Sequence, residues 1–359
     1  MSEWQETTLG ELITLQRGHD LAKTEMQEGK IPVAGSNGII GYHNKATTRA
    51  LGITIGRSGN IGNAYLYKED FWAHNTTLYV KDFKGNYEAF VYYLLKSIDF
   101  NGFNVGSAVP TLNRNHIHPM VIQKPDVNEQ KAIASVLSSL DDKIDLLHRQ
   151  NTTLERMAET LFRQWFVEEA QENWEQGTLK DEFDFTMGQS PLGSSFNEDG
   201  NGMAMFQGNT DFGFRFPCER VYTTEPSRFA EPMDTLISVR APVGAQNMAK
   251  IKCCIGRGVA AFRYKNNSDF YTYTYFKLRS LMDEFKQFND EGTVFGSITK
   301  SDIERLATSI PNYKDVIKFE SQVKPIDDKI INNCEQIQTL EKLRDNLLPK
   351  LMSGEVRVS

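Results

Sequence analysis

Leu140-Asp141-Asp142-Lys143-Ile144 and Ile326-Asp327-Asp328-Lys329-Ile330 are one motif written twice, 186 residues apart. The copy extends well beyond the motif. Residues 105–165 align with 291–351 without a gap, and 13 of the 61 positions are identical. Gln150, Thr153, Leu154, Glu155 and Leu161 recur as Gln336, Thr339, Leu340, Glu341 and Leu347, Pro125 meets Pro311, and Gly106 meets Gly292. Upstream the offset shortens to 170. Trp4 precedes Thr8-Leu9 with the same spacing as Trp174 precedes Thr178-Leu179, and Gly18 and Gly188 each follow ten residues after the Thr. Internal repetition therefore organises the chain. Each half has a divergent front and a similar back, which divides the sequence as 1–124, 125–170, 171–311 and 312–359.

The backs read as long helices. Apolar residues recur at Ile133, Leu137, Leu140, Ile144, Leu147, Leu154, Ala158, Leu161 and Trp165, and again at Phe319, Val323, Ile326, Ile330, Ile337, Leu340, Leu347 and Leu351. Steps of three and four sustained over several heptads predict a coiled-coil seam. Asn151 and Asn333 interrupt it as polar positions that set register. Arg344 also falls on the seam, where it either frays the packing or meets a partner. Two such helices separated by a domain are expected to pack on each other, antiparallel, with the two fronts at opposite ends. At a rise of about 1.5 Å per residue either helix reaches roughly 55–60 Å. Pro325 lacks a backbone donor, so a break or kink is expected just before it.

The fronts read as mixed α/β. Strand signals lie at Gly52–Ile55, Thr77–Val80, Leu236–Val239 and Val259–Phe262, with Gly-rich turns between them and a helix near residues 87–98 and 270–285. The fold class is therefore α/β (mixed α+β): two globular domains separated by two long helices with a pseudo-twofold repeat.

Composition bounds the function. The 359 residues are 40% hydrophobic and 24% charged, as expected of a folded soluble domain. The net charge of −7 excludes a chain coated in positive charge, but not a local polyanion site. No apolar run approaches membrane-spanning length, and four cysteines without a C-x-x-C pair suggest neither zinc nor a disulfide framework. A reducing cytoplasm is the expected location. The charge is placed unevenly. Residues 126–172 carry 10 acidic and 5 basic side chains, whereas 29–68, 101–125 and 235–265 carry no carboxylate at all.

Loops rich in Arg, Lys, Asn, Gln and Ser without acid suit DNA: Arg and Asn or Gln match base edges, and Lys holds phosphate. The candidates are Lys45, Arg49, Arg57, Ser58, Asn60, His74, Asn75 and Arg114 in the first front. In the second they are Gln207, Asn209, Arg240, Gln246, Lys250, Lys252 and Arg257. The Gly56–Gly59 turn sits opposite Val239–Pro242 in the repeat, with Arg57 facing Arg240. Taken singly, each residue is equally well an ordinary solvated loop residue; their coincidence in both repeats favours a site.

Signatures of catalysis are missing. There is no phosphate-binding Walker loop, no H-E-x-x-H, no G-x-S-x-G and no amino-methyltransferase tetrapeptide. Asp211-Phe212-Gly213 spells a kinase triplet without its catalytic loop. His116 and His118 lack an evident third metal ligand and read as polar surface.

These features together resemble the specificity subunit of type I restriction–modification enzymes. The resemblance rests on the W-x-x-x-T-L openings, on Pro125…Glu129-Gln130…Ile133 leading into Leu140–Ile144, on the duplication, and on the terminus Leu347–Val356. The second copy departs from the pattern, with Asp315-Val316 in place of the Glu-Gln pair. The resemblance implies that each front is a target recognition domain reading one half of a bipartite, non-palindromic DNA site. The helices would fix the gap and dock two modification subunits, and restriction subunits would join further out. This chain would bind no cofactor and be catalytically silent; S-adenosylmethionine, ATP and Mg would belong to the partner subunits. The alternatives are a DNA-modifying enzyme with an unrecognised active site, and a coiled-coil protein adaptor that ignores DNA.

Overall fold

A computed structural model describes residues 3–103, 111–287 and 296–358; Gly106 and Gly292 of the repeat lie outside them. The chain forms two compact units, Met1–Leu146 with Ile337–Ser359, and Leu147–Gln336. Both long helices, Val127–Arg163 and Tyr313–Met352, therefore give one part to each unit. Among the described residues, no helix is long and apolar enough to cross a membrane.

In the first unit, strand Gln5–Thr8 pairs antiparallel with Val121–Lys124. Thr8 then caps a single helical turn. Its side chain accepts from the Glu11 backbone, and the Glu11 carboxylate takes the Thr8 N–H at 3.1 Å. Leu9 drops fully buried into the core behind it. The second unit repeats the device. Glu175–Thr178 pairs with Ala307–Ile310, Asp181 takes the Thr178 N–H at 2.9 Å, and Leu179 is fully buried. The W-x-x-x-T-L opening is thus a strand, a helix cap and a core plug, and it satisfies backbone donors that would otherwise be orphaned.

Each unit then builds a four-stranded sheet in the same order. In the first the order is Thr14–Arg17, Thr77–Asp82, Gly52–Gly56, Ala64–Tyr67; in the second it is Phe183–Met187, Val259–Tyr264, Thr235–Ser238, Gln246–Met248. All neighbours within these sheets are antiparallel. A helix covers each sheet: Glu88–Ser97 in the first unit and Tyr271–Ser280 in the second, where the sequence-predicted helix is split, resuming at Met282–Gln287. Among the described residues the remaining sheet differs, with three strands in the first unit and five in the second. This is where the fronts diverge.

Within each unit the long helices run antiparallel. In the first, Asp141 meets Arg344; in the second, Asn151 meets Asn333 and Phe162 meets Phe319. Ile133, Leu137, Ile144, Leu147, Val323, Ile330 and Ile337 are buried as the seam requires. Leu140, Leu154, Leu161, Ile326, Leu340 and Leu347 are only half-buried. Past Asn151 the seam position Ala158 is buried, but Phe162 and Phe166 are buried in place of Leu161 and Trp165; in the second helix the seam position Leu351 is buried together with Leu348 and Met352. A straight helix drifts by about 20° per heptad from a strict seven-residue repeat. The buried face therefore turns so that Phe162 and Phe166 touch both Phe319 of the partner helix and Tyr273 of the front domain.

The break expected before Pro325 is absent, and Tyr313–Met352 is continuous through it. Pro325 is exposed while Val323, Asp327 and Ile330 on the opposite face are buried. The carbonyl that loses its partner faces water, and packing on the inner face outweighs the missing bond.

Candidate nucleic-acid interface

The two four-stranded sheets share a frame at one end. In the first, Gly56, Thr77 and Arg17 lie at adjacent strand ends, closed by Gly18. Gly18 N–H donates to Thr77 O (3.0 Å), His19 to Ala73 O (2.7 Å), Arg57 to Thr76 O (2.8 Å) and Leu112 to Arg57 O (2.8 Å). The second reproduces each bond. Gly188 donates to Val259 O (2.9 Å), Gln189 to Ile255 O (3.0 Å), Val239 to Gly258 O (2.9 Å) and Ile298 to Val239 O (2.9 Å). The isolated bridges Ser58–Thr111 and Arg240–Ser297 complete the match. The hydrogen bonds move the sequence alignment by one residue. Arg57 corresponds to Val239, and Ser58, not Arg57, corresponds to Arg240.

Two glycines make this frame possible. A Cβ on Gly18 would lie 2.1 Å from His74 O, and one on Gly188 would lie 2.2 Å from Gly256 O. No side chain fits there, so strand end and neighbouring turn are pressed together in both domains.

The frame brings several candidates to one place. Arg57 is half-buried and donates to Asn75 O at 3.2 Å; Ser58 is half-buried and Asn60 is exposed on the same turn. Asn75 donates to Asp20. His74 is committed, with one ring nitrogen against the Thr76 hydroxyl (2.9 Å) and the other against Leu21 O (3.1 Å). Arg114 is exposed and reaches Leu15 O at 3.4 Å. In the second domain Arg240 and Arg257 are exposed, as is Gln207, and Asn209 is half-buried. Lys45 and Arg49 are exposed on a different segment, after the hairpin ending at His43.

The fold also places acid beside several candidates. Asp20 lies against Asn75 and is forked by Arg17 at 2.7 and 3.1 Å, which holds its carboxyl below the usual range. Lys252 pairs with Glu231 at 2.6 Å, and Lys250 approaches Glu335 at 3.9 Å and the Phe216 ring. Gln246 turns inward and donates to Tyr275 O at 2.7 Å. Lys252 and Lys250 are thus engaged within their unit, and Gln246 is directed away from the surface. His118 is no free metal ligand: its ring nitrogen accepts the Leu15 N–H at 3.2 Å, and burial lowers its pKa. Among the described residues no group of three His, Cys, Asp or Glu side chains is arranged to hold a metal.

The repeated Asp-Asp pair is the latch between front and helix. In the first unit Asp141 accepts from Tyr93 Oη (2.7 Å) and Arg344 (2.9 Å), and Asp142 meets Lys68 at 3.0 Å. Arg344 is therefore neither frayed nor free. In the second unit Asp327 accepts from Thr272 Oγ1 (3.2 Å) and faces Arg215 (3.1 Å), and Asp328 accepts from Tyr271. Arg215, fully buried from a front-domain loop, also lies 3.6 Å from Glu155 and stacks 3.8 Å over Tyr275. Its repeat-independent position gave no signal in the sequence. Gln130 accepts the Tyr87 N–H at 2.9 Å, and Glu320, from a different repeat position, accepts Tyr273 N–H at 2.8 Å. Both thereby tie the front-domain helix down at its start. Glu129 takes Trp4 Nε1 (3.2 Å) and Arg357 (2.8 Å).

Comparison with known proteins agrees with this architecture. A family model described as the type I restriction modification DNA specificity domain matches residues 1–156. The chain is 31% identical over 264 residues to the putative type I restriction enzyme MjaX specificity subunit of Methanocaldococcus jannaschii, covering 69% of this chain and 62% of that protein. The match thus spans about three-fifths of that relative's length. To the type I restriction enzyme MjaIX specificity subunit of the same organism it is 28% identical over 307 residues, covering 75% and 69% respectively. The crystal structure of the type I restriction–modification system S subunit from M. genitalium has the same fold. It superposes with a TM-score of 0.67 at 21% identity, covering 98% of this chain and 96% of that one.

Proposed function

We propose that this chain, like the type I restriction enzyme specificity subunits it resembles, is the DNA sequence-recognition subunit of a type I restriction–modification complex. Each front reads one half of a bipartite, non-palindromic site. The observation that carries this reading is the doubled sheet-end frame, one backbone geometry presenting different side chains in the two domains. Identical frames give equivalent placement against a duplex; different side chains give unlike half-sites.

Arg57, Ser58, Asn60, Asn75 and Arg114 would meet DNA from the first frame, and Gln207, Asn209, Arg240 and Arg257 from the second. Lys45 and Arg49 would hold phosphate. Lys and backbone amides supply salt-dependent affinity without sequence preference. A good bidentate contact to a base edge contributes about 1–3 kcal/mol of discrimination. The long helices set the distance between half-sites and dock two modification subunits, with restriction subunits beyond. S-adenosylmethionine, ATP and Mg act on those partners, in the cytoplasm, and this chain performs no chemistry itself.

The test is reconstitution. The chain alone is expected to methylate no DNA, and addition of modification subunits is expected to give adenine methylation at one bipartite sequence. Arg240→Ala is expected to change one half of that sequence only. Methylation by the chain alone would point to an enzyme, and an assembled complex indifferent to DNA sequence would point to a protein adaptor.

A further inference from the structure

Arg17 and Asp20 lie outside the acid-free stretches 29–68, 101–125 and 235–265. The frame places both beside Asn75, at the end of the strand Thr14–Arg17 and just past the Gly18 contact. Asp20 Oδ2 accepts from Arg17 Nη1 at 3.1 Å and Oδ1 from Nη2 at 2.7 Å, so the carboxylate grips the guanidinium in a two-point fork. Asn75 adds a third donor to the same carboxylate. Arg17 and Asp20 nonetheless keep 47% and 69% of their side chains exposed, which leaves the fork open to a ligand.

As a stability device an exposed pair of this kind contributes little. As a recognition device it is well formed. A guanidinium carries five N–H donors, and Asp20 occupies two, leaving three on a plane that the fork has fixed. Two parallel donors at fixed spacing match the O6 and N7 acceptors of guanine in the major groove. A phosphate-tracking position would be harmed by a carboxylate at its centre, whereas an arginine aimed at a base is steadied by one.

Resting on the DNA-recognition reading above, we propose that Arg17, held by Asp20, is a base-reading residue of the first domain and that it reads a guanine. The second domain carries different chemistry at the same place. Met187 and Ser190 stand at the corresponding positions, and the Ser190 hydroxyl accepts the Arg257 backbone N–H at 3.3 Å. The Arg17 contact is therefore confined to one half-site.

The full chain carrying Arg17→Ala, Arg17→Lys or Asp20→Asn is assembled with its modification subunits, and adenine methylation is mapped on genomic DNA. The unsubstituted complex gives a bipartite motif. Arg17→Ala makes one G·C position in one half degenerate, with discrimination there falling roughly 10- to 100-fold, while the other half is unchanged. Arg17→Lys fails to restore that position, because an ammonium lacks the planar fork. Asp20→Asn relaxes the same position to a smaller degree. An Arg17→Ala motif unchanged at every position overturns the proposal. So does a uniform loss of methylation at all sequences that Arg17→Lys restores, which marks a phosphate contact. If the unsubstituted complex yields no bipartite motif, the recognition reading fails first and this proposal falls with it.

Discussion

At the residue scale, the buried charges of the second unit carry the sharpest consequences. Arg215 and Asp327 are both fully buried and 3.1 Å apart. Burial pushes the Asp327 carboxyl up and Arg215 pulls it back. Removing one partner strands the other, so Arg215→Ala is expected to cost about 3–5 kcal/mol in a denaturant melt. An unchanged midpoint would mean that water reaches the cluster. Glu320 behaves differently. Burial raises its pKa to about 7, against partial relief from the Tyr273 N–H it accepts and from Lys324. A carboxyl with a raised folded pKa keeps its proton while the unfolded chain releases one, so stability falls as pH rises from about 4.5 to about 7. Glu320→Gln keeps an acceptor and removes the charge. Melts at pH 8 are expected to show it more stable than the parent by on the order of 1–3 kcal/mol, with the difference gone below pH 4.5. None of these pairings was legible in the sequence. Arg215 lies 112 residues from Asp327 and outside the repeated motif, and only the folded loop brings it there.

At the element scale, the helix pair is specified at one polar layer. Asn333 Nδ2 donates to Asn151 Oδ1 at 2.8 Å with both side chains buried, and Asn151 reaches Cys334 Sγ at 3.4 Å. A single Asn151→Leu leaves the Asn333 amide without its partner and is expected to cost about 1–3 kcal/mol. Asn151→Leu with Asn333→Leu is expected to recover that loss in thermal melts, because both amides leave together. A double variant as unstable as the single one would show that the layer is held by shape rather than by the hydrogen bond. The long helices and both polar interruptions were readable from periodicity. The shift of the buried face from Leu161 and Trp165 onto Phe162 and Phe166 was not, because periodicity reports that a face is apolar and not what covers it.

At the scale of the whole molecule, each unit joins one front domain to part of both helices, so under the proposed function a change in helix length is expected to act on DNA spacing rather than on base choice. Inserting one seven-residue block into both helices is expected to lengthen the gap tolerated between half-sites while each half keeps its sequence, as read from mapped methylation. An unchanged gap would remove the spacing role. The duplication, the helical backs, the mixed α/β fronts and the family resemblance were legible in the sequence alone, because they rest on covalent order and on spacings of a few residues. The charge at the candidate interface was decided only by the tertiary structure. The acid-free stretch 235–265 acquired Glu231 and Glu335 as neighbours in space, and Asn75 acquired Asp20; the Coulomb interaction depends on distance through space, which sequence separation does not measure.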